Sequence, residues 1–398
     1  MQPSIETLSL YKIYTIKFVR VLITALMSII LPVYLLAQGY SIEFVGIIIS
    51  LTILSNIPFN MIVVFFSRRI KERQVLTLFS MLMAISAMLF VWNLDVTMVV
   101  IAAIAGLVSA NGTETGPFQS IEQAIISSKS KDQKRTNVFS IYNVIGYAAA
   151  TIGSLLSGLP DYLARVGFAV QDMFYIYAVL AVFMALLYLS MKELDAMPKG
   201  EKKIGLNPQA RGLGAKFTAL YAVDAFGGGF ILKSLLTIWF KVKYNASLQS
   251  LSQLFSVADI ITAISILLAP AIAKRIGLLN TMVLTHIPSN VFLMLIPFAP
   301  TLLLTVIFYF LRQSISQMDV PTRQSYMNAI VKPEDRAATA ALTNTGRSLA
   351  QTASPPLTTA CISAGLFTLP FVAGSGLKII YDIAIYLVFR KIKPPEES

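Results

Sequence analysis

The apolar residues of this chain fall into about a dozen blocks, each long enough to cross a lipid bilayer. A membrane-spanning helix needs roughly 20 mainly apolar residues, and such blocks repeat from Tyr11 to Arg390 with short polar turns between them. Because backbone polar groups inside a bilayer must be satisfied within their own segment, helices are expected. With 56% hydrophobic and 13% charged residues among 398, the chain is too apolar for a soluble protein. We expect an all-α membrane protein.

The blocks predict twelve helical spans, numbered here 1 to 12 in chain order. Their expected bounds are about 11–37, 42–67, 73–93, 96–124, 136–159, 170–192, 214–242, 248–273, 279–298, 300–331, 334–364 and 368–390. The segment 193–213 is polar and shows no periodicity. It predicts a cytosolic central loop between two pseudo-symmetric six-helix bundles, 1–192 and 214–398.

The two halves resemble copies of one another. Pro321 lies 204 residues after Pro117, and both prolines stand near the ends of spans 10 and 4. Asn344 lies 201 residues after Asn143. Duplicated halves around a site near the midplane are a transporter layout, with chance similarity between apolar helices as the alternative. All four residues are expected to have structural roles, the asparagines by joining helices.

The net charge of +12 is interpreted as a topology signal. Lysines and arginines cluster in alternate loops, as the positive-inside rule expects, which predicts cytosolic termini and no nucleic-acid partner. One cysteine and one histidine exclude an internal disulfide and predict no thiolate or multi-histidine metal site. We expect no cofactor, and no phosphate-binding loop is present that would indicate ATP as the energy source.

Ionisable side chains inside spans are costly, so they usually pair or line a water-filled path. Spans 1, 4, 7 and 10 carry most of them. The candidates for substrate binding or proton coupling are Arg20, Glu114, Asp224, Lys233, Arg312 and Asp319.

Asp224 precedes Gly227, Gly228 and Gly229 on span 7. Three glycines permit close helix approach or local unwinding. A buried aspartate is a plausible proton site. The alternative is a structural carboxylate paired with a neighbour such as Arg347.

Arg312, Asp319 and Arg323 are spaced seven and four residues apart, which places them on one face of span 10. Arg312 falls near the bilayer centre and should therefore have a carboxylate partner or bind an anion. Asp319 and Arg323 are expected to form an ion pair at a cytosolic gate.

The remaining gate candidates are the charged residues expected at the cytosolic face. They are Arg68, Arg69, Glu122, Lys274, Arg275, Glu334 and Asp335, with Glu122 expected at the surface beside basic loop residues.

Three other sites have expected roles. Lys378 and Asp382, four residues apart on span 12, are expected to form a structural pair. Glu114 lies beside glycines and Pro117, which predict a kink. His286 is expected to be a hydrogen-bonded packing residue, with a proton relay as the alternative.

The turn after span 2 reads Ser67-Arg-Arg-Ile-Lys-Glu-Arg. With the two six-helix halves and the central loop, it resembles the major facilitator superfamily, in which this turn usually reads Gly-x-x-x-Asp-Arg-x-Gly-Arg-Lys. Here Arg68 stands at the acidic position. The stretches 112–123, 285–290 and 318–326 are similar to a prokaryotic branch of that superfamily. The resemblance implies alternating access around a central site on spans 1, 4, 7 and 10.

The sequence therefore predicts a secondary transporter of a cytoplasmic membrane rather than an enzyme, since no nucleophile–base or metal constellation is visible. Its expected partners are the lipid bilayer, a small-molecule substrate and protons, and it is expected to be a monomer. Proton-coupled efflux of a small organic compound is the first hypothesis. The alternatives are uptake of a small anion bound by Arg312 or Lys233, and a non-transporting membrane sensor or assembly partner.

Overall fold

The computed structural model of the chain describes residues 5–66, 71–92, 95–106, 109–110, 112, 116–119, 121–122, 132–192, 208–332 and 335–392. Over these ranges the regular structure is helical, without a β-strand. The predicted all-α fold is thus confirmed, and about twelve spans fit it.

The helices up to the central loop agree with the predicted spans to within a few residues, except in span 4. They are α1 Ile5–Ala37, α2 Ile42–Phe66, α3 Glu72–Trp92, α4 Val96–Ala105, α5 Asp132–Leu156, the short α6 Leu159–Tyr162, and α7 Asp172–Ser190.

The helices after the loop are more divided than the predicted spans. They are α8 Pro208–Gly229, α9 Lys233–Tyr244, α10 Leu248–Ile276, α11 Leu278–Leu295, α12 Leu302–Gln313, α13 Asp319–Ile330, α14 Arg336–Thr352, α15 Ser354–Ser363 and α16 Leu369–Phe389.

Eight candidate spans in the described part of the chain are long and apolar enough to cross a membrane, and two shorter apolar helices, α4 and α12, accompany them. Their outer faces are apolar as well. On α10, Ile260, Ile264, Leu267 and Leu268 recur at helical spacing and are each 46–61% exposed. In water, a row of exposed apolar side chains like this one would promote aggregation. It is the surface that a helix presents to lipid.

Spans 7, 10 and 11 are each broken into two helices, whereas continuous helices were predicted. In span 7, α8 ends at Gly229 and α9 begins at Lys233, with a turn between them. The break frees backbone carbonyls that hydroxyl groups satisfy: Ser354 Oγ donates to the carbonyl of Phe226 at 2.6 Å, and Thr358 Oγ1 to that of Phe230 at 3.1 Å. Side-chain donors of this kind make a helix break tolerable inside a bilayer.

The other two breaks coincide with prolines. Pro321 lies in the first turn of α13, where its missing N–H is tolerated. Pro355 opens α15 in the same way. Hydropathy alone does not reveal these breaks, because it averages over a window longer than a single helical turn.

Span 4 is also interrupted. After α4 ends, Gly112 and Gly116 have φ of +67° and +118°, a region that favours glycine. Pro117 then begins a further helical segment. The predicted kink is therefore a break.

The chain divides into two compact units. The first unit comprises Met1–Glu201 with Asn245–Ser256, and the second comprises Lys202–Tyr244 with Val257–Ser398. The start of α10 thus packs in the first unit, where Asp161 Oδ2 accepts a hydrogen bond from the backbone N–H of Gln249 at 2.9 Å.

Close helix contacts build each unit. In the first, α1 packs on α5 and α3 on α7; in the second, α8 packs on α14 and α16. A Cβ on Gly153 of α5 would lie 2.1 Å from the carbonyl oxygen of Leu22, so only glycine fits there. Asn143 and Asn344 are exposed, which contradicts their expected place between helices. An amide can join helices only from a buried face.

Candidate functional site

A buried carboxylate on α8 collects three cations from three other helices. Asp224, 3% exposed, accepts a hydrogen bond from Lys378 Nζ at 2.6 Å on Oδ1. Its Oδ2 accepts from Arg323 at 3.0 Å and from Arg347 at 3.2 Å. The cations belong to α16, α13 and α14 respectively. The site therefore ties four helices of the second unit to one negative charge.

Asp319 completes what we call the Asp224 cluster: Asp224, Asp319, Arg323, Arg347 and Lys378. Arg323 NH1 lies 3.3 Å from Asp319 Oδ2, the i,i+4 pair that the spacing indicates. Arg323 is nevertheless buried and bridges the two acids. Three cations against two acids leave a surplus of one positive charge.

Two tyrosines lie beside the Asp224 cluster. The Tyr221 ring centroid is 5.2 Å from the Arg323 guanidinium carbon and 6.0 Å from that of Arg347, within cation–π range. Tyr221 packs on Tyr381 of α16 at 6.2 Å between ring centroids.

The prediction that Lys378 and Asp382 form an ion pair is wrong. Lys378 binds Asp224, while Asp382 accepts hydrogen bonds from His286 Nδ1 at 2.7 Å and Asn290 Nδ2 at 3.2 Å. The two residues share one face of α16, but that helix packs between α8 and α11. Each side chain therefore has a closer partner on a neighbouring helix. His286 is buried and hydrogen-bonded, as expected.

Lys233, a substrate-binding candidate, already holds a carboxylate. Its Nζ lies 2.8 Å from both oxygens of Asp259 on α10, and both residues are buried. The pair is neutral, which weakens the case for Lys233 as an anion-binding group.

In the described part of the chain Arg312 has no carboxylate partner, which was one of the two possibilities expected for it. Its NH1 donates to Oε1 of Gln313 at 2.5 Å, and Gln313 Nε2 donates to Thr262 at 3.3 Å. Among the described residues no carboxylate lies within ion-pair distance, and the buried Nε has no hydrogen-bond partner. The sequence offered two explanations for a buried Arg312, a carboxylate partner or a bound anion. Of these, anion binding remains.

The first unit holds a second buried cluster. Glu122 is fully buried and accepts from Arg20 NH2 at 2.5 Å, Tyr142 at 2.7 Å and Tyr188 at 2.5 Å. Lys17 lies 4.1 Å from the Tyr142 ring centroid. The expectation that Glu122 is at the surface is therefore wrong, because the chain after Pro117 returns into the unit. We call Glu122, Arg20, Tyr142 and Tyr188 the Glu122 cluster.

The two clusters have opposite polarity. Span 1 supplies the cation Arg20 and span 4 the acid Glu122, whereas span 7 supplies the acid Asp224 and span 10 the cation Arg323. Asp224 lies 204 residues after Arg20, the spacing that also relates Pro117 to Pro321. The matched prolines show that spacing in the sequence, whereas the two charges differ in sign and were not predicted to correspond. Tyr142 and Tyr188 were not predicted either, because they carry no local sequence signal.

Several gate candidates cannot be placed. Glu114, Arg68, Arg69 and Glu334 lie outside the described residues. Lys274 and Arg275 are exposed at the end of α10, and Asp335 is buried beside the start of α14. The cytosolic gate therefore stays a prediction.

The family model described as Major Facilitator Superfamily matches residues 13–316 and 217–398 of this chain. The chain belongs to the major facilitator superfamily. This confirms the resemblance inferred from the span 2–3 turn and the duplicated halves, and it makes the chain a multi-pass membrane protein of a family of secondary transporters.

Other proteins are similar to this superfamily member in sequence or in fold. The "uncharacterized membrane protein YJR124C" of Saccharomyces cerevisiae is 25% identical over 411 residues, covering 94% of this chain and 92% of the yeast protein. The crystal structure of the nucleoside transporter NupG matches with a TM-score of 0.70 and 13% identity, over 96% of this chain and 99% of that one. A bacterial homologue of the human lysosomal transporter Spinster, solved inward-facing and unoccupied, matches with a TM-score of 0.70 and 14% identity, over 98% of each chain.

Proposed function

We propose that this chain is a secondary active transporter that works by alternating access and exports a small organic compound in exchange for protons. The proposed coupling to protons rests on one observation. Asp224 is a buried carboxylate whose single charge binds cations from α13, α14 and α16. A group that holds several helices by its charge links its protonation to their arrangement.

The physical argument concerns what protonation does to those contacts. A carboxylate attracts cations and accepts charge-assisted hydrogen bonds, which are roughly twice as strong as neutral ones. Once neutral, Asp224 would hold Lys378, Arg323 and Arg347 less tightly. Conversely, three nearby cations oppose its protonation. Proton uptake and separation of the cations therefore favour each other.

The broken span 7 supplies a place for such a change. Asp224 lies five residues before Gly229, at which α8 ends, and the turn to α9 follows directly. The hydroxyls of Ser354 and Thr358 already satisfy the carbonyls at this turn. A change of angle between α8 and α9 would therefore break few helical hydrogen bonds.

The membrane location, the oligomeric state and the partners of the chain are part of the same proposal. Basic residues in alternate loops support a cytoplasmic membrane with both termini in the cytosol. The self-contained duplicated halves support a monomer. The bilayer, the organic substrate and protons are the partners that this activity requires.

The test is proton flux in everted membrane vesicles with an acidic lumen, followed with a pH-sensitive dye. The panel comprises amphipathic compounds, sugars, metals and organic anions. We expect lumen alkalinisation on adding one compound class, and loss of that signal in Asp224→Asn. The matched control is Asp172→Asn, which changes a half-buried acid at the start of α7 and keeps a side-chain oxygen for the hydrogen bond from the Ala169 N–H. Proton flux that persists in Asp224→Asn would contradict the proposed coupling role.

A second candidate function is uptake of a small anion, and the geometry of Arg312 favours it. This guanidinium has no carboxylate within ion-pair distance among the described residues and bonds only to the Gln313 amide. Lys233 is already neutralised by Asp259. Of the two cations expected to bind an anion, Arg312 is therefore the better candidate.

Labelled-anion uptake into proteoliposomes tests this alternative. Uptake that is lost in Arg312→Gln, retained in Arg165→Gln and unaccompanied by proton movement would replace the antiport proposal by anion import. Arg165 is exposed, so its substitution controls for the loss of a positive charge. No flux of any probe would favour the non-transporting sensor.

A further inference from the structure

We infer that His286 and Asp382 form a second proton-binding site, which communicates with Asp224 through Lys378. The inference rests on the proposed proton coupling and extends it to a different pair of helices. His286 lies on α11 and Asp382 on α16, with 2.7 Å between Nδ1 and Oδ1. His286 is 3% exposed and Asp382 is fully buried.

The chemistry of a buried histidine–aspartate pair explains why it would hold a proton. With one exchangeable proton the pair is neutral, either as imidazolium and carboxylate or as imidazole and carboxylic acid. After that proton leaves, the pair carries one negative charge. An uncompensated charge is costly in a buried site. The deprotonated pair therefore needs a cation.

Lys378 is positioned to supply that cation. It lies four residues before Asp382, so both side chains project from one face of α16. Its Nζ now lies 2.6 Å from Asp224 Oδ1. If the His286–Asp382 pair loses its proton, the new charge attracts Lys378 away from Asp224. Asp224 then keeps only Arg323 and Arg347 as cationic partners.

This exchange gives a relay in which charge is conserved. An O–H or N–H bond breaks at the pair, and an O–H bond forms at Asp224. The pair changes from neutral to −1 and Asp224 from −1 to neutral, while Lys378 moves its positive charge in the direction of the new negative one. Losing one of three cations makes Asp224 a better proton acceptor. The step needs no further reactant.

Other polar and charged groups surround the relay on every helix packed against it. They are Tyr221 and Asp224 on α8, Asn290 on α11, Arg312 on α12, Asp319 and Arg323 on α13, Arg347 on α14, and Lys378 and Tyr381 on α16. The buried hydroxyls of Tyr221 and Tyr381 and Oδ1 of Asn290 have no hydrogen-bond partner among the described residues. Polar atoms that are buried without partners are places where a water can bind. Such a water could carry the proton.

The chain is unusually suited to a direct test, because His286 is its only histidine. The full-length protein, purified with a histidine-free tag and placed in lipid nanodiscs without substrate, is labelled with 15N-histidine. The single imidazole signal is followed by NMR from pH 5 to 9. We expect it to titrate as one group.

Two variants identify the partners. Asp382→Asn removes the charge that stabilises the imidazolium, so the midpoint should move at least one unit to lower pH, a tenfold loss of proton affinity. Lys378→Met removes a nearby cation and should move it to higher pH. Thr285→Val is the matched control, since this neighbour bonds only to the carbonyl of Thr281, and its midpoint should stay unchanged.

The outcomes separate this inference from the proposed transport. A wild-type signal that does not titrate, or a midpoint that Lys378→Met leaves unmoved, would overturn the relay even if vesicles show proton antiport. Conversely, the expected titration in a chain that moves no protons in vesicles would support the site and contradict the proposed function.

Discussion

Removing the charge of Glu122 should destabilise the first unit strongly. Glu122→Gln keeps the shape of the side chain and an acceptor for Tyr142 or Tyr188, but it leaves the buried guanidinium of Arg20 without this carboxylate. Breaking a buried ion pair by neutralising one partner costs about 3–5 kcal/mol. For a unit of about 200 residues, each kcal/mol lowers the melting temperature by about 2–4 °C. The expected fall is therefore roughly 6–20 °C.

The assay is thermal stability of the detergent-solubilised protein, measured as the temperature at which half the monomer peak is lost from size-exclusion chromatography. The double variant Arg20→Met, Glu122→Gln removes both charges and replaces the guanidinium by an apolar side chain. Because a buried pair can be replaced by apolar groups at little cost, the double variant should recover most of the loss. The reasoning is refuted if Glu122→Gln lowers stability by less than about 2 °C, or if the double variant is worse than the single one.

Three further predictions concern the second unit. Gly374→Ala places a Cβ 2.8 Å from the backbone of α8 and should lower stability by about 1–3 kcal/mol, whereas Gly376→Ala, which meets nothing within 4 Å, should be neutral in the same melting assay. Lys233→Met removes the cation bound to Asp259 and should lower the melting temperature, while adding Asp259→Asn should restore it. Ser354→Ala should speed hydrogen exchange at the turn after α8 by about tenfold, measured by mass spectrometry, because a buried hydrogen bond contributes about 1–1.5 kcal/mol.

Membrane span number and approximate position could be predicted from the sequence, since a run of about 20 apolar residues has few alternatives in a lipid-soluble chain. The breaks within spans 7, 10 and 11 could not be predicted. Hydropathy averages over a window, so a turn of three residues between α8 and α9 leaves no trace in it. The glycines before that turn did indicate a local irregularity.

Partners of buried charges were only partly predictable. The pair of Asp319 with Arg323 is local, so helical spacing indicates it. The same rule misled for Lys378, because packing against α8 offered a nearer acid. The contact of Arg20 with Glu122 joins residues 102 apart. Contacts of that kind depend on how helices pack, which one sequence does not show.

The closure of each cluster within its own unit has a consequence for how the chain is made. Each cluster closes its own ion pairs inside one unit, with Arg20 and Glu122 in the first and Asp224 and Arg323 in the second. During synthesis the first half can therefore bury its charges before the ribosome has translated the second. An arrangement with the cation on one half and its acid on the other would leave an unpaired charge in the bilayer until the second half had been translated.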